Sequence, residues 1–156
     1  MSKFGETVAE QVQRIAKETL GATFWLKKTV TSSAILTTNV AITEASTGGE
    51  LMIEDIIIKS DSTGLAAGST FRIVTNNAKG TTGVFMHPVN LLGANRTVDM
   101  DNAEEYSVRD VNNRVILEEG KTLSVNCTVT ACTGAGTIDI YIKFRKLADN
   151  ASILAA

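Results

Sequence analysis

The strongest constraint on the fold is the stretch from residue 121 to residue 145, in which apolar and polar residues alternate strictly in two runs, 122–129 and 138–145. The apolar positions of this stretch are Leu123, Val125, Cys127, Val129, Ile138, Ile140, Ile142 and Phe144. A period of two is typical of a strand with one buried face. The segment between the two runs contains Gly134 and Gly136, which tolerate the positive φ of a turn. We therefore predict a long antiparallel hairpin, with Leu123 opposite Phe144 and Val129 opposite Ile138 on one apolar face.

An apolar face of this size needs a second sheet to cover it, and the rest of the chain carries the signals of further strands. Turn residues separate about eight to ten short stretches with strand-like patterning. Residues 50–59 are apolar on both faces, which indicates either a strand buried on both sides or a bulge near Glu54–Asp55. The sequence therefore predicts an all-β fold, a jelly-roll-type antiparallel β-sandwich over residues 33–147.

Residues 3–20 show the periodicity of an amphipathic α-helix. The apolar stripe consists of Phe4, Val8, Val12 and Ile15. These side chains fall within an arc of about 80° at the period of a helix. The stripe either packs on the sheet of the same chain or docks on a partner or on other copies of the chain. In the second case we expect the four side chains to bind the partner.

These patterns divide the chain into four parts. Residues 1–21 are predicted to form the N-terminal helix and an attachment arm, and residues 22–32 a connecting segment. This segment contains Trp25, an aromatic residue next to the arm that we also predict to bind a partner. The sandwich domain follows, and residues 148–156 are predicted to form a C-terminal tail.

Charge and composition exclude several classes of protein. The 156 residues include 15 Lys and Arg against 17 Asp and Glu, which gives a net charge of −2. A nucleic-acid-binding protein needs a basic excess to neutralise phosphates, so we predict no nucleic-acid partner. No apolar run approaches the ~20 residues of a membrane span, so we predict no membrane partner. The N-terminal segment is charged and amphipathic, unlike a signal sequence, which predicts synthesis in the cytoplasm.

Candidates for catalysis are few. His87 is the one histidine, and histidine-assisted nucleophilic catalysis would need it as the general base. Together with Cys127 and Cys132 it lacks the spacing of zinc ligands. Residues 61–64 read Asp-Ser-Thr-Gly, whose spacing differs by one residue from the Asp-Thr-Gly of aspartic proteases, so we interpret them as a turn. We therefore predict that the chain is not an enzyme, with no catalytic residues and no cofactor.

Two further features leave alternatives open. An acidic cluster in a predicted loop consists of Asp99, Asp101, Asn102, Glu104 and Glu105. It either holds a hard cation such as calcium or is simply solvated, and our prediction contains no metal site. Tyr141 lies on the polar face of the predicted hairpin, where it is either part of a sugar-binding platform or an amphipathic residue at a contact surface. Cys127 is interpreted as a small core residue.

Three segments of the chain resemble segments of phage proteins. They are Gly48–Ile58, Asp61–Ala66 and Leu117–Val125. The first two look like strand-and-loop segments of tailed-bacteriophage virion proteins. With the third, which turns into the long alternating stretch, they resemble the small jelly-roll decoration or cement proteins of phage heads over about residues 33–147.

This resemblance implies a function. Members of the family generally form trimers that stand on the capsid lattice, and many use an N-terminal arm as the foot. The resemblance therefore predicts a non-enzymatic capsid decoration protein, a homotrimer made in the host cytoplasm that binds the major capsid protein at the capsid surface of the virion and bridges capsid subunits. The alternative is a glycan- or receptor-binding module of a phage tail fibre or spike.

Overall fold

The computed structural model describes residues 7–9, 21–68, 71–76, 83–88, 93–99, 103–105 and 115–156. Within these residues, the first six strands are β1 Thr23–Thr31, β2 Val40–Ala41, β3 Leu51–Ser60, β4 Ala66–Ala67, β5 Phe71–Thr75 and β6 Gly83–Pro88. The remaining strands are β7 Thr97–Asp99, β8 Ala103–Glu105, β9 Val115–Leu117, β10 Leu123–Cys127, β11 Cys132–Thr133 and β12 Thr137–Lys146. A short 3₁₀ turn, Ser32–Ala34, follows β1.

In the part of the chain that the structure describes, the longer strands form two five-stranded sheets. Sheet A has the order β1-β12-β3-β7, and β9 also pairs with β3. Sheet B has the order β2-β10-β5-β6-β8. The short strands β4 and β11 form a separate antiparallel pair. All the pairings among the described strands are antiparallel, and the predicted all-β sandwich of jelly-roll type is confirmed.

The core is a single cluster to which both sheets contribute. The buried side chains from sheet A include Leu51, Ile53, Ile56, Ile58, Ile138, Ile140, Ile142 and Phe144. Those from sheet B include Phe71, Ile73, Leu123, Val125 and Cys127. Burial of each large apolar side chain contributes roughly 1.5–3 kcal/mol relative to exposure, so this shared core is the main stabilising feature of the sandwich.

The predicted hairpin is wrong in its pairing. Leu123 pairs with Thr75 of β5 in sheet B, whereas Phe144 lies between Phe24 and Ile53 in sheet A. The alternation identified the buried face of both strands, but it does not determine which strand is the hydrogen-bonded neighbour. Two strands facing one core from opposite sheets show the same pattern as two strands of a hairpin. Val129, predicted to be buried, is 80% exposed in the segment that leaves β10.

The alternative of a bulge in β3 is confirmed. Lys143 pairs with Asp55, and the next residue, Phe144, pairs with Ile53, so Glu54 is an extra residue in β3. The insertion changes the parity of the buried positions. Leu51 and Ile53 are buried before the bulge, and Ile56 and Ile58 after it. This shift explains why apolar residues seem to occupy both faces of the strand.

Residues 22–32, predicted as a connecting segment, contribute a full strand to sheet A. Strand β1 pairs with β12 over its whole length, from Thr23 opposite Arg145 to Thr31 opposite Thr137. The outward face of β1 is rich in Thr and Lys, so the strand contains no continuous apolar run. The sequence pattern therefore did not identify residues 23–31 as a strand. Most of the predicted N-terminal helix, residues 3–20, lies outside the described residues.

The predicted C-terminal tail also packs on the sandwich. Ala151 is completely buried, and Ile153 is buried. The backbone forms bridges between Thr47 and Ser152 and between Thr43 and Ala155. The pairing explains why these last residues are held, although their sequence is short and poor in large apolar residues.

Candidate interaction surface

A patch of aromatic and apolar side chains lies on the outward face of sheet A. Trp25, Ile57, Lys59 and Tyr141 line a shallow depression of about 180 Å³. They come from three adjacent strands, because β12 lies between β1 and β3. We call these four residues the aromatic patch.

The bulge in β3 determines that Ile57 belongs to this patch. Without an extra residue, Ile57 would have the parity of Leu51 and Ile53 and would point into the core. With Glu54 inserted, Ile56 and Ile58 are buried and Ile57 lies on the outward face beside Tyr141, its partner in the sheet. A local irregularity of the backbone thereby adds an apolar side chain to the surface.

Lysine side chains cover the faces of both aromatic rings. The Lys27 and Lys59 ammonium groups lie 5.5 Å and 5.8 Å from the centre of the Tyr141 ring. The ammonium group of Lys143 lies 6.0 Å from the centre of the Trp25 ring. These distances are within the range of cation–π attraction. The contacts orient both rings and place three positive charges around the patch.

Two carboxylates balance part of this charge. Asp139 lies 3.5 Å from the Lys27 ammonium group and accepts a hydrogen bond of 2.6 Å from the Thr29 hydroxyl. The negative charge of Asp139 raises the pKa of Lys27 above its ordinary value. On the other side, Glu54 contacts both Lys143, at 3.6 Å, and Arg145. Two cations share this one carboxylate, which leaves positive charge at the rim.

The arrangement suits contact with another protein. Trp25 is 50% exposed, although it is a large apolar side chain. Tryptophan, tyrosine and arginine are the residues that most often dominate the energetics of interfaces, and a polar rim around them is usual. A sugar would have to displace the lysines from the ring faces before it stacked, whereas an acidic protein segment would pair with them.

The structure brings two of the singled-out residues together. Trp25 and Tyr141, 116 positions apart in the sequence, line the same depression. The sequence analysis missed Ile57 and Lys59, because the bulge hides their outward position in what reads as a continuous apolar run. The alternation in β3 predicts an outward position for Ile57 and Lys59 only if Glu54 is first identified as the extra residue of the bulge.

The N-terminal candidates lie elsewhere or are not described. Val8 is 77% exposed and does not line the aromatic patch. Phe4, Val12 and Ile15 lie outside the described residues. A second depression, of about 380 Å³, lies near the start of β1 and is lined in part by Phe24, Lys146 and Ile153.

The catalytic and metal candidates gain no support from their positions. His87 pairs through its backbone with Glu105, and the side chains of both lie outside the described part of the structure. In the acidic cluster, Asp99 pairs through its backbone with Ile57, while Asp101 and Asn102 are not described. Among the described residues, no group of three or more His, Cys, Asp or Glu side chains lies together as a metal site would require.

The turn predicted at residues 61–64 is present and has a structural role. Oδ1 of Asp61 accepts hydrogen bonds from the backbone N–H groups of Thr63, at 2.9 Å, and Gly64, at 2.7 Å. Its other carboxylate oxygen accepts from the backbone N–H of Thr137 at 3.0 Å. These bonds, first of all that from Gly64, lower the pKa of Asp61 below its ordinary value. An aspartate held in this way stabilises a loop and is not arranged as a catalytic acid.

Comparison with known proteins shows similarity of fold. No protein-family model matches the sequence, and neither does any curated protein. The fold is similar to a chain of the acidic stable capsid structure of Helicobacter pylori bacteriophage KHP30, with a TM-score of 0.53 and 7% identity over 86% of this chain and 95% of that chain. A chain of the capsid of Ralstonia phage GP4 gives a TM-score of 0.47 and 13% identity, with 81% and 86% covered. A chain of the capsid asymmetric unit of cyanophage Pam1 gives 0.48 and 12%, with 94% and 92% covered.

Among the described residues, no helix has the length and apolar character that crossing a membrane would require.

Proposed function

We propose that the chain is a non-enzymatic structural protein of a phage virion, of the decoration or cement class, that stabilises the head by bridging capsid subunits. The observation that carries the proposal is the shared fold with a chain of the KHP30 capsid structure, which extends over nearly the full length of that chain. The protein would be made in the host cytoplasm and would reside at the capsid surface.

In this proposal the aromatic patch is one of two surfaces that contact the capsid, and the N-terminal arm is the other. Trp25 and Tyr141 line a shallow depression on the outward face of sheet A, with positive charge around them. A capsid subunit that presents a carboxylate and an apolar side chain would complement this surface. The mechanism is burial of area: interfaces of about 1,600 Å² are sufficient for stable association, and the symmetry of a capsid repeats them.

The oligomer in this proposal is a homotrimer, and the major capsid protein is its partner. Residues 1–21 would form the attachment arm, with the stripe of Phe4, Val8, Val12 and Ile15 docked on the capsid. The exposure of Val8 is consistent with a side chain whose partner is another molecule. The trimer would be built by the sandwich domain.

The test compares the full chain with a chain that lacks residues 1–21. Sedimentation equilibrium gives the oligomeric state of each, and co-sedimentation with phage heads assembled without this chain measures attachment. We expect two folded trimers, of which only the full chain binds heads. A full chain that is monomeric and does not co-sediment with the heads would contradict the proposal. A truncated chain that decorates heads to full occupancy would contradict the role of the arm.

A glycan-binding module of a tail fibre or spike is the second candidate. It is favoured by one observation, the presence of Trp25 and Tyr141 in a single depression. Because lysines cover both rings, an acidic polysaccharide would bind better than a neutral one. A glycan array would distinguish the two candidates, since a decoration protein should show no binding to either class at micromolar concentration.

A further inference from the structure

Two buried cysteines lie in contact where β10 ends and β11 begins. The Sγ atoms of Cys127 and Cys132 are 3.3 Å apart, and both residues are free thiols. Cys127 is completely buried and Cys132 almost completely. A disulfide bond is about 2.05 Å long, so the two sulfur atoms have to approach by little more than an ångström to form one.

The fold holds the two cysteines beside each other through their backbones. The N–H of Cys127 donates to the carbonyl of Leu36 at 2.8 Å, and the N–H of Cys132 donates to the carbonyl of Ile35 at 2.9 Å. Two neighbouring carbonyl groups therefore fix both backbones. On its other side Cys132 packs against Gly68, where a Cβ atom would come within 2.8 Å of the sulfur. Close packing limits the separation of the two thiols.

The segment between the cysteines provides access. Thr128, Val129 and Thr130 are exposed, whereas the flanking cysteines are buried. Opening of this short segment together with the end of β10 would bring both thiols to solvent, and local opening of this kind is common in native proteins.

We propose that Cys127 and Cys132 are a dithiol that closes to an intramolecular disulfide when the protein reacts with hydrogen peroxide. One cysteine sulfur attacks a peroxide oxygen, the O–O bond breaks, and a sulfenic acid and one water form. The second sulfur attacks the sulfenic sulfur, the S–S bond forms, and the oxygen leaves as a second water. Two S–H bonds lose two protons and two electrons, which reduce one peroxide to two waters.

The closed bond would tie sheet B to the β4–β11 pair. Cys127 is the last residue of β10, and Cys132 pairs with Ala67 of β4. In a reducing cytosol the pair stays as thiols, and in an oxidising medium it closes. Burial raises the pKa of the Cys132 thiol to about 12, and a thiol with a raised pKa reacts slowly because little thiolate is present.

The test treats the reduced full chain with hydrogen peroxide and maps it by non-reducing digestion and mass spectrometry. We expect loss of two hydrogen masses, a link between the peptides of Cys127 and Cys132, and a rise in Tm on the order of 5 °C that dithiothreitol reverses. The matched variant is Cys132→Ala, which keeps the neighbouring thiol but removes its partner. It should gain oxygen or form covalent dimers and show no rise in Tm.

Three outcomes would overturn the proposal. The first is that both thiols of the treated protein still react with Ellman's reagent after denaturation, at a peroxide dose that oxidises glutathione. The second is a linkage between chains in place of one within the chain. The third is an oxidised chain that carries the intramolecular link but melts below the reduced chain, because the bond would then be incompatible with the fold. The disulfide link is located in the unsubstituted chain itself, so the proposal can be tested even if Cys132→Ala does not fold.

Discussion

The backbone N–H of Thr137 donates a hydrogen bond to Oδ2 of Asp61 at 3.0 Å, which ties the first residue of β12 to the loop that leaves β3. Two adjacent strands of sheet A are thereby joined at one end by a carboxylate as well as by their ladder. Because Oδ1 of the same carboxylate accepts two further backbone bonds, Asp61 organises both the turn and the start of a central strand.

We predict that this aspartate makes stability dependent on pH in the acid range. Its pKa is lower in the folded chain than the ordinary value of 3.8, so the folded state favours the charged form. The contribution is fully present above the unfolded pKa and is lost as pH falls below 3.8 through the folded pKa. Asp61→Asn should lower Tm at pH 7. The difference in Tm between this variant and the unsubstituted chain should shrink as the pH falls below 3.8. Melting curves between pH 2 and pH 7 measure this.

The control for this prediction is Asp149→Asn, which removes the same charge from an exposed turn. It should give no loss of Tm at pH 7 comparable to that of Asp61→Asn. Equal losses for the two variants would show that net charge, and not the hydrogen bonds to Asp61, is responsible.

Ile140 lies at the centre of sheet A, and its truncation should be costly. It is completely buried and pairs with Lys28 on one side and Ile58 on the other. We expect Ile140→Ala to lower the free energy of unfolding by about 2–5 kcal/mol, and Ile140→Val by about 0.5–1.5 kcal/mol. Denaturant melts measure both. Ile57→Ala, one strand away on the outward face, should cost less, and a loss below about 0.5 kcal/mol for Ile140→Ala would show that this face is not core.

The fold class and the buried faces could be predicted from the sequence because side-chain alternation reports directly on burial. The pairing could not, since Val125 and Ile142 obey the same alternation whether they lie in one sheet or in facing sheets. Long-range partners depend on how the loops cross the sandwich, which local patterning does not encode. The depression that Trp25 and Tyr141 line could not be predicted either, because its prediction requires the pairing of β1 with β12.

The extra residue in β3 should be essential to the sandwich. Deletion of Glu54 would restore regular pairing with β12 and force either Leu51 and Ile53 or Ile56 and Ile58 out of the core. Exposure of two such side chains corresponds to about 3–6 kcal/mol, enough to unfold many domains. Circular dichroism and denaturant melts of the deletion variant measure the effect.

Glu54→Ala is the matched control for the deletion. It keeps the number of residues in β3 and removes the contacts with Lys143 and Arg145. Since these groups are partly exposed, the loss should stay below about 1 kcal/mol. If the deletion is tolerated as well as the substitution, the bulge does not determine which residues of β3 are buried.

The aromatic patch yields the prediction that bears most directly on function. Trp25 is half exposed, so Trp25→Ala should lower Tm less than truncation of a completely buried side chain and leave the chain folded, yet it should weaken binding to phage heads assembled without this chain by about tenfold or more. Leu154→Ala is the matched control, because Leu154 is 62% exposed but does not line the patch. Lys59→Glu reverses a charge at the rim. It should lower the affinity for heads at both salt concentrations, and the loss should be larger at low salt, where charges are less screened. Co-sedimentation titrations at two salt concentrations measure all three variants. Binding that is unchanged by Trp25→Ala, or reduced equally by Leu154→Ala, would mean that the partner is recognised elsewhere on the molecule.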